Sequence, residues 1–210
     1  TLFRSNKQSW EKANISYKGH TDYLREHFNA KAIMMLGNKK LFVSLFTDHI
    51  PLNQVYDSIN EKDILEFLLS FYQKNMKKVA VLGLNPHSGD AGVLGDKDDY
   101  ILSATKKANK ILKKEIFVGA IVPDIAFTKQ NRKKYKYFVA MYHDQGLAPL
   151  KALQFEESIN VSLNLSIIRA SVGHGSAFDI SYKKNRVVSL KSYINAIEYC
   201  TKEVKRKAKT

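Results

Sequence analysis

Seven apolar runs of five to seven residues punctuate the chain: AIMML at 32–36, LFVSLF at 41–46, VAVLGL at 79–84, IFVGAIV at 116–122, YFVAM at 137–141, INVSL at 159–163 and SIIRAS at 166–171. Their length and β-branched content predict buried strands rather than helices. Between several of them the apolar spacing changes to that of a helix. Residues 60–73 carry Ile64, Leu65, Leu68, Leu69 and Tyr72 on one face behind Asn60, a ready N-cap, and residues 98–114 and 189–206 repeat the pattern. Strands alternating with helices predict an α/β fold with a largely parallel or mixed sheet. No repeat, low-complexity tract or Pro/Gly-rich linker marks a domain boundary.

Where these runs stop, polar groups begin. FVAMYHDQGLAPLK, at 138–151, passes from apolar residues straight into Tyr142, His143, Asp144, Gln145 and Gly146, a segment that reads as the turn beyond a strand. In open α/β sheets the ligand crevice lies beyond the carboxyl ends of the strands. His49 in LFVSLFTDH and His87 in VAVLGLNPH stand in the same relation to their own strands. If the three strands share a direction, three imidazoles converge, and three imidazoles leave positions open on a divalent ion. The gaps of 38 and 56 residues between them form no local metal motif, so spacing alone leaves the alternative that each His bonds its own turn.

Other candidates are scattered. His20, in KGHTDYL, precedes a helical segment with Thr21 as a possible N-cap, a position that suits either an anion or a simple cap; His27, inside that helix, reads as a packing or surface residue. Asn160, Arg169, His174 and Asp179 lie among strand residues, and the planar fork of Arg169 suits a phosphate, a carboxylate or a structural ion pair. Lys151 taken alone is a surface lysine. GLNPHSGDAGVLG brings glycines at 83, 89, 92 and 95 and matches neither a P-loop nor a dinucleotide fingerprint.

Composition narrows the class. With 44% hydrophobic and 26% charged residues over 210 positions, the chain has the make-up of a globular protein, and its apolar runs are far shorter than a membrane span. With no charged-then-apolar leader at its start, a cytoplasmic location is expected, and the single Cys200 excludes an internal disulfide. The net charge of +14 suggests polyanion binding as an alternative function. Its runs, KNMKK, KKANKILKK, KQNRKKYK and KEVKRKAK, fall at helix ends, polar faces and connections, so the expectation is no nucleic acid and no membrane partner.

KGHTDYL, TDHIPL, GLNPHSGDAGVLG, VPDIAF, AMYHDQGL, INVSL and IIRASVGHGSAFDI, in this order, resemble the 4-hydroxythreonine-4-phosphate dehydrogenases of vitamin B6 biosynthesis. The resemblance implies an α/β fold like that of isocitrate and isopropylmalate dehydrogenases, two-lobed and three-layered with a mixed sheet, so that residues 1–210 form one catalytic unit of two interleaved lobes. Carried over by residue, metal ligands fall on His49, His87 and His143, and substrate contacts on His20, Thr21, Lys151, Asn160 and Arg169. By the same resemblance, the loop His174, Gly175, Ser176, Ala177 and Asp179 is expected to take the adenosine part of NAD or NADP. The metal, one divalent ion of zinc, magnesium or cobalt, lies at a homodimer interface.

The implied reaction is oxidation of 4-phosphooxy-L-threonine to a β-keto acid that decarboxylates to 3-amino-2-oxopropyl phosphate, with Asp144 or Asp124 as base or support for the histidines. The chain departs from the family at Gly173, where Asp is usual, and at Phe155, Glu156, Glu157 and Ser158, where a Gly-rich turn is usual. It also opens on Thr1 without the family's long N-terminal segment, which reads as a fragment.

Overall fold

The computed structural model describes residues 7–17, 20–173 and 189–208. In chain order the elements are α1 (Lys7–Lys12), α2 (His20–His27), β1 (Ile33–Gly37), β2 (Phe42–Leu45), α3 (Leu52–Ser58), α4 (Glu61–Phe71) and β3 (Val79–Leu82). A single 3-10 turn at Pro86–Gly89 precedes α5 (Lys97–Leu112), β4 (Phe117–Ile121), α6 (Pro123–Ala126) and α7 (Lys129–Lys134). The chain continues through β5 (Tyr137–Ala140), α8 (His143–Gln154), β6 (Ile159–Leu163), β7 (Arg169–Val172) and α9 (Lys191–Lys207). It divides into an inserted unit, Lys39–Ala152, and a flanking unit made of Thr1–Asn38 and Leu153–Thr210.

The inserted unit is built on four parallel strands in the order β4-β3-β5-β2. One register row runs Phe117, Val79, Tyr137, Phe42, so the four strands start level with one another. β2, β3 and nearly all of β5 are buried on both faces, and β4, at the edge of the unit, is half-buried beyond Phe117; the strands read as nearly unbroken apolar runs, as parallel strands covered by helices do. Ile64, Leu68 and Phe71 of α4 and Ile101, Ala104 and Ala108 of α5 are fully buried in this unit. Asn60 caps α4 by accepting from Asp63 N at 2.9 Å, as its sequence position predicted. Where α5 turns into β4, the buried Asn109 side chain accepts from Ile116 N and Phe117 N and donates to Phe117 O, satisfying a connection that would otherwise lose its partners.

The flanking unit pairs β1 with β6 and β6 with β7, both antiparallel, and packs α9 on β6 and β7 through Ser192 and Ala196. The mixture of parallel and antiparallel pairs agrees with the expected α/β class. Of Phe155, Glu156, Glu157 and Ser158, Phe155 is exposed and the other three make structural hydrogen bonds. Glu157 accepts from Asn38 Nδ2 at 2.9 Å, Glu156 accepts from Lys191 Nζ at 2.9 Å, and Ser158 O accepts from Gly173 N at 2.9 Å. A Cβ on Gly173 would stand 2.3 Å from Ser158 O, so this backbone excludes the family's usual Asp at that position.

Three sequence expectations are corrected. The strand expected from Ser166 starts only at Arg169. Thr21 does not cap α2 from outside: the helix already begins at His20, and Thr21 is buried in its first turn. The turn expected at HDQG is the start of the twelve-residue helix α8. Gly146 makes that possible, since a Cβ there would meet Val43 Cγ1 at 2.6 Å and Ala140 Cβ at 2.8 Å, so only glycine lets α8 lie this close to β2 and β5. Pro149 inside α8 disguised the helical pattern.

Candidate functional site

Because β2, β3 and β5 run parallel, the segments carrying His49, His87 and His143 all leave from one edge of the inserted unit. The ends of β2 and β5 are tied beyond the ladder: Phe46 N donates to Ala140 O at 2.8 Å, and Thr47 donates to Met141 O through Oγ1 at 2.6 Å. This tie brings His49 and His143 together, with ring centroids 5.9 Å apart. His49 N donates to Asp48 Oδ1 at 2.7 Å, which fixes the turn that presents the ring.

His143 opens α8, and its Nδ1 lies 2.7 Å from Asp144 Oδ1. A carboxylate accepts this bond only from Nδ1–H, an arrangement that in a neutral ring turns the Nε2 lone pair outward, as metal-binding histidines backed by a carboxylate do. Asp144 is otherwise open to water, with its side chain 84% exposed. Asp124 is exposed on α6, and Lys151 is exposed two turns beyond His143 on α8.

The third histidine sits in an unusual backbone. His87, Ser88, Asp90 and Ala91 all have φ between 45° and 53°, in the left-handed region that non-glycine residues avoid. Two side chains that sequence reasoning did not assign hold this loop in place. Asp98, buried in the first turn of α5, accepts from Leu84 N at 2.8 Å, Asn85 N at 3.2 Å and Asn85 Nδ2 at 2.9 Å. Gln145 accepts from Met141 N and donates to Gly83 O, both at 2.7 Å, and so bridges the carboxyl ends of β5 and β3. An acid in the first turn of a helix after a Gly-rich loop was the available signal for Asp98. Gln145 had none beyond its place between His143 and Gly146.

Among the described residues, no three His, Cys, Asp or Glu side chains lie close enough to hold a metal ion. The single chain thus gathers His49 with His143 and leaves His87 on its neighbouring loop. The exposed His49 and half-buried His143 imidazoles, the latter beside a carboxylate, are a donor pair of the kind that divalent ions take.

In the flanking unit, Asn160 and Ser162 stand two apart on β6, and Arg169 is the register partner of Ser162, so all three share a face of the sheet. Arg169 Nη1 donates to Ser162 Oγ at 2.9 Å. Among the described residues, the buried Oδ1 of Asn160 finds no hydrogen-bond partner, and its Nδ2 reaches Met34 Sδ at 3.8 Å. A buried amide oxygen left in this state costs about 1–3 kcal/mol unless a ligand or water completes it. His20 packs edge-on against Trp10, centroids 4.9 Å apart. His174, Gly175, Ser176, Ala177 and Asp179 lie outside the described residues.

Parallel strands covered by helices, with imidazoles and carboxylates beyond their carboxyl ends, make an α/β unit of the kind whose ligands bind beyond the strand ends. The model of the family described as pyridoxal phosphate biosynthetic protein PdxA matches residues 4–200, and the chain belongs to that family. It is 59% identical over 194 residues to the 4-hydroxythreonine-4-phosphate dehydrogenase of Sulfurimonas denitrificans, covering 92% of this chain and 62% of the relative. To the enzyme of that name from Helicobacter pylori strain HPAG1 it is 48% identical, covering 92% of this chain and 63% of the relative. A crystal structure of 4-hydroxythreonine-4-phosphate dehydrogenase from Klebsiella pneumoniae superposes with a TM-score of 0.72 at 34% identity, covering 94% of this chain and 62% of that one. The chain therefore spans a little over three fifths of the length of the relatives it matches. The family expected from AMYHDQGL and GLNPHSG is borne out.

No helix among the described residues is long and apolar enough to cross a membrane.

Proposed function

We propose that this chain carries the metal- and substrate-binding residues of a 4-hydroxythreonine-4-phosphate dehydrogenase acting in the cytoplasm. In this reading the enzyme oxidises 4-phosphooxy-L-threonine with NAD or NADP to a β-keto acid, which decarboxylates to 3-amino-2-oxopropyl phosphate. The observation that carries the reading is the His49–His143 pair at the carboxyl ends of adjacent parallel strands, 5.9 Å between rings, in a chain of this family.

His49, His87 and His143 hold one divalent ion, zinc, magnesium or cobalt, and a second copy of the chain completes the set at a homodimer interface. Such an ion supplies Lewis acidity toward the substrate hydroxyl. Asp144 orients His143 through Nδ1, which leaves Asp124 as the alternative carboxylate for the hydroxyl proton. Arg169 and Lys151 meet the anionic groups of the substrate. Asn160, whose buried Oδ1 is unsatisfied, accepts from a substrate donor, and His20 and Thr21 add contacts from α2. His174, Gly175, Ser176, Ala177 and Asp179 receive the adenosine part of the nucleotide.

The test is the metal content and the NAD(P)-dependent oxidation of 4-phosphooxy-L-threonine by the purified chain, beside its His49→Ala variant. Parent protein that holds metal and reduces the nucleotide, with both lost in the variant, is expected. Metal content unchanged by His49→Ala overturns the assignment of the site, and turnover of the substrate without metal overturns the mechanism.

A further inference from the structure

The lysine runs, dispersed in sequence, are gathered by the strand register. Phe117, Val79, Tyr137 and Phe42 form one row across the four parallel strands of the inserted unit. The four residues leading into each strand are therefore neighbours along its amino edge. They read KKEI before β4, NMKK before β3, KKYK before β5 and NKKL before β2, which places Lys113, Lys114, Lys77, Lys78, Lys133, Lys134, Lys136, Lys39 and Lys40 on one edge. All nine are exposed. Glu115 is the one carboxylate in these four segments, and it accepts from Asn109 Nδ2 at 3.1 Å.

Helix geometry accounts for part of this. Lys133 and Lys134 end α7 and Lys113 is the C-cap of α5, where a cation complements the helix dipole. Lys39, Lys40, Lys77 and Lys78 follow a strand and a turn, and no dipole explains them. Neighbouring strands lie about 4.8 Å apart, so the edge is about 14 Å long. Phosphates recur every ~3.4 Å along one strand of a duplex, so such an edge faces about four of them. A small phosphorylated metabolite needs far fewer ammonium groups than nine.

Charge chemistry and exposure choose among polyanions. Lysine meets phosphate as a point charge, without the planar fork that reads a base edge. The nearby Arg132 donates through Nε to Phe127 O at 2.9 Å, which turns that edge of its fork toward the protein. Stable attachment to a lipid surface takes an apolar insertion or a lipid chain in addition to a basic patch. Of the large exposed apolar side chains among the described residues, Ile111 alone lies beside these segments.

We propose that the amino edge of the parallel strands in the inserted unit is a docking surface for the phosphate backbone of a nucleic acid, held without reading of sequence. This surface is separate from the carboxyl-edge site and stands whether or not the proposed dehydrogenase reading holds. The sequence expectation of no nucleic-acid partner rested on the apparent scatter of the lysines, which the register removes.

Fluorescence anisotropy with labelled single-stranded RNA and duplex DNA of about 20 nucleotides per strand, between about 50 and about 200 mM salt, tests it. With about four phosphates met, affinity is expected to fall roughly fifty- to a hundred-and-fifty-fold across that range. Two triple variants separate the edge from net charge. Lys77→Glu, Lys78→Glu, Lys114→Glu and the control Lys202→Glu, Lys205→Glu, Lys207→Glu each lower the formal charge by three times two, from +14 to +8. The edge variant is expected to lose at least tenfold in affinity and about half of the salt slope; the α9 control is expected to lose less than threefold. Where charge reversal impairs folding, glutamine at the same three edge positions is expected to halve the slope as well. Equal losses in edge and control variants overturn the proposal, as does salt-independent binding. Binding to phosphatidylserine vesicles with none to either nucleic acid overturns it in favour of a membrane surface.

Discussion

At the carboxyl edge of β2, β3 and β5 the connections are pinned by polar side chains drawn from other elements: Asp98 from α5, Gln145 from α8 and Thr47 from the end of β2. At the amino edge of the same strands the connections turn on backbone bonds and one buried anchor, Asn109, and present lysines to water. One edge spends buried hydrogen bonds and left-handed backbone on holding His87 and its neighbours in place; the other carries exposed lysines, of which Lys134 and Lys136 lie over the rings of Tyr135, Phe42 and Tyr137. Chemistry that needs fixed geometry belongs at the first, and attraction that needs only proximity belongs at the second.

The largest effect is expected from His143→Ala. On the proposed assignment of His143 to the metal, removing its imidazole should weaken divalent metal binding by more than about a hundredfold, since losing even a partner that merely orients a ligand costs about 10–100-fold. Atomic-emission metal analysis after dialysis reads it. An unchanged metal content would place the ion elsewhere and remove the functional contrast between the edges.

A pair of anchors, one at each edge, comes next. Asp98→Ala leaves three N–H groups without their acceptor, and Asn109→Ala removes the side-chain partner of Phe117 N and of Phe117 O and one of the two acceptors of Ile116 N, so each should destabilise by about 2–3 kcal/mol in urea unfolding. They should differ in function: Asp98→Ala also lowers metal content, because the His87 loop is released, whereas Asn109→Ala does not. Equal metal loss in both would mean that the edges are not independent.

How much of this was legible follows the range of the interactions. Asn60, accepting from Asp63 three residues on, was found because a cap is written within one turn. All seven strands were found from their apolar runs, although β7 starts three residues later than its run. The common direction of β2, β3 and β5 was a condition in the sequence and became a fact only through their pairing. Gln145 reaches Gly83 across 62 positions and Asp98 reaches Leu84 across 14, so their roles depend on tertiary contacts that no local pattern encodes. The lysine edge was hidden for the same reason: four short runs far apart in the chain become one band only when the register is known. Pro149 hid α8 because proline inside a helix contradicts the local rule, and the close approach at Gly146 that offsets it is also tertiary.

A smaller effect is expected from Gln145→Leu, which keeps the volume and removes both bonds of the bridge between β5 and β3. Stability should fall by about 1–2 kcal/mol and metal affinity by about tenfold. Gln145→Glu restores the acceptor for Met141 N and not the donor for Gly83 O. It should therefore recover part of the stability and little of the metal affinity, provided the β3 link is what positions the His87 loop. Full recovery of both by Gln145→Glu would show that only the bond to Met141 matters.

The smallest effect is expected where a lysine of α5 does meet a carboxylate. Lys107 and Ser103 donate to Glu61 at the start of α4, and the Lys107 ammonium, followed by the Ser103 hydroxyl, holds the Glu61 carboxyl below its ordinary value of 4.5. A carboxyl whose value is lowered on folding adds stability that is fully present above 4.5 and is lost as pH falls through the lower folded value. Parent and Glu61→Gln should therefore differ slightly in urea midpoint near neutral pH and converge in acid, below the ordinary carboxyl range. The pair is solvent-exposed, so salt should screen the difference as well. Lys107 and Lys114 lie on one helix and its end, yet they answer to different partners: neutralising Lys107 should flatten the acid limb and leave nucleic-acid affinity nearly unchanged, and neutralising Lys114 should do the reverse. If Lys107→Gln weakens nucleic-acid binding as much as Lys114→Gln, the lysines act through the net field of the unit, and the amino edge loses its distinct role.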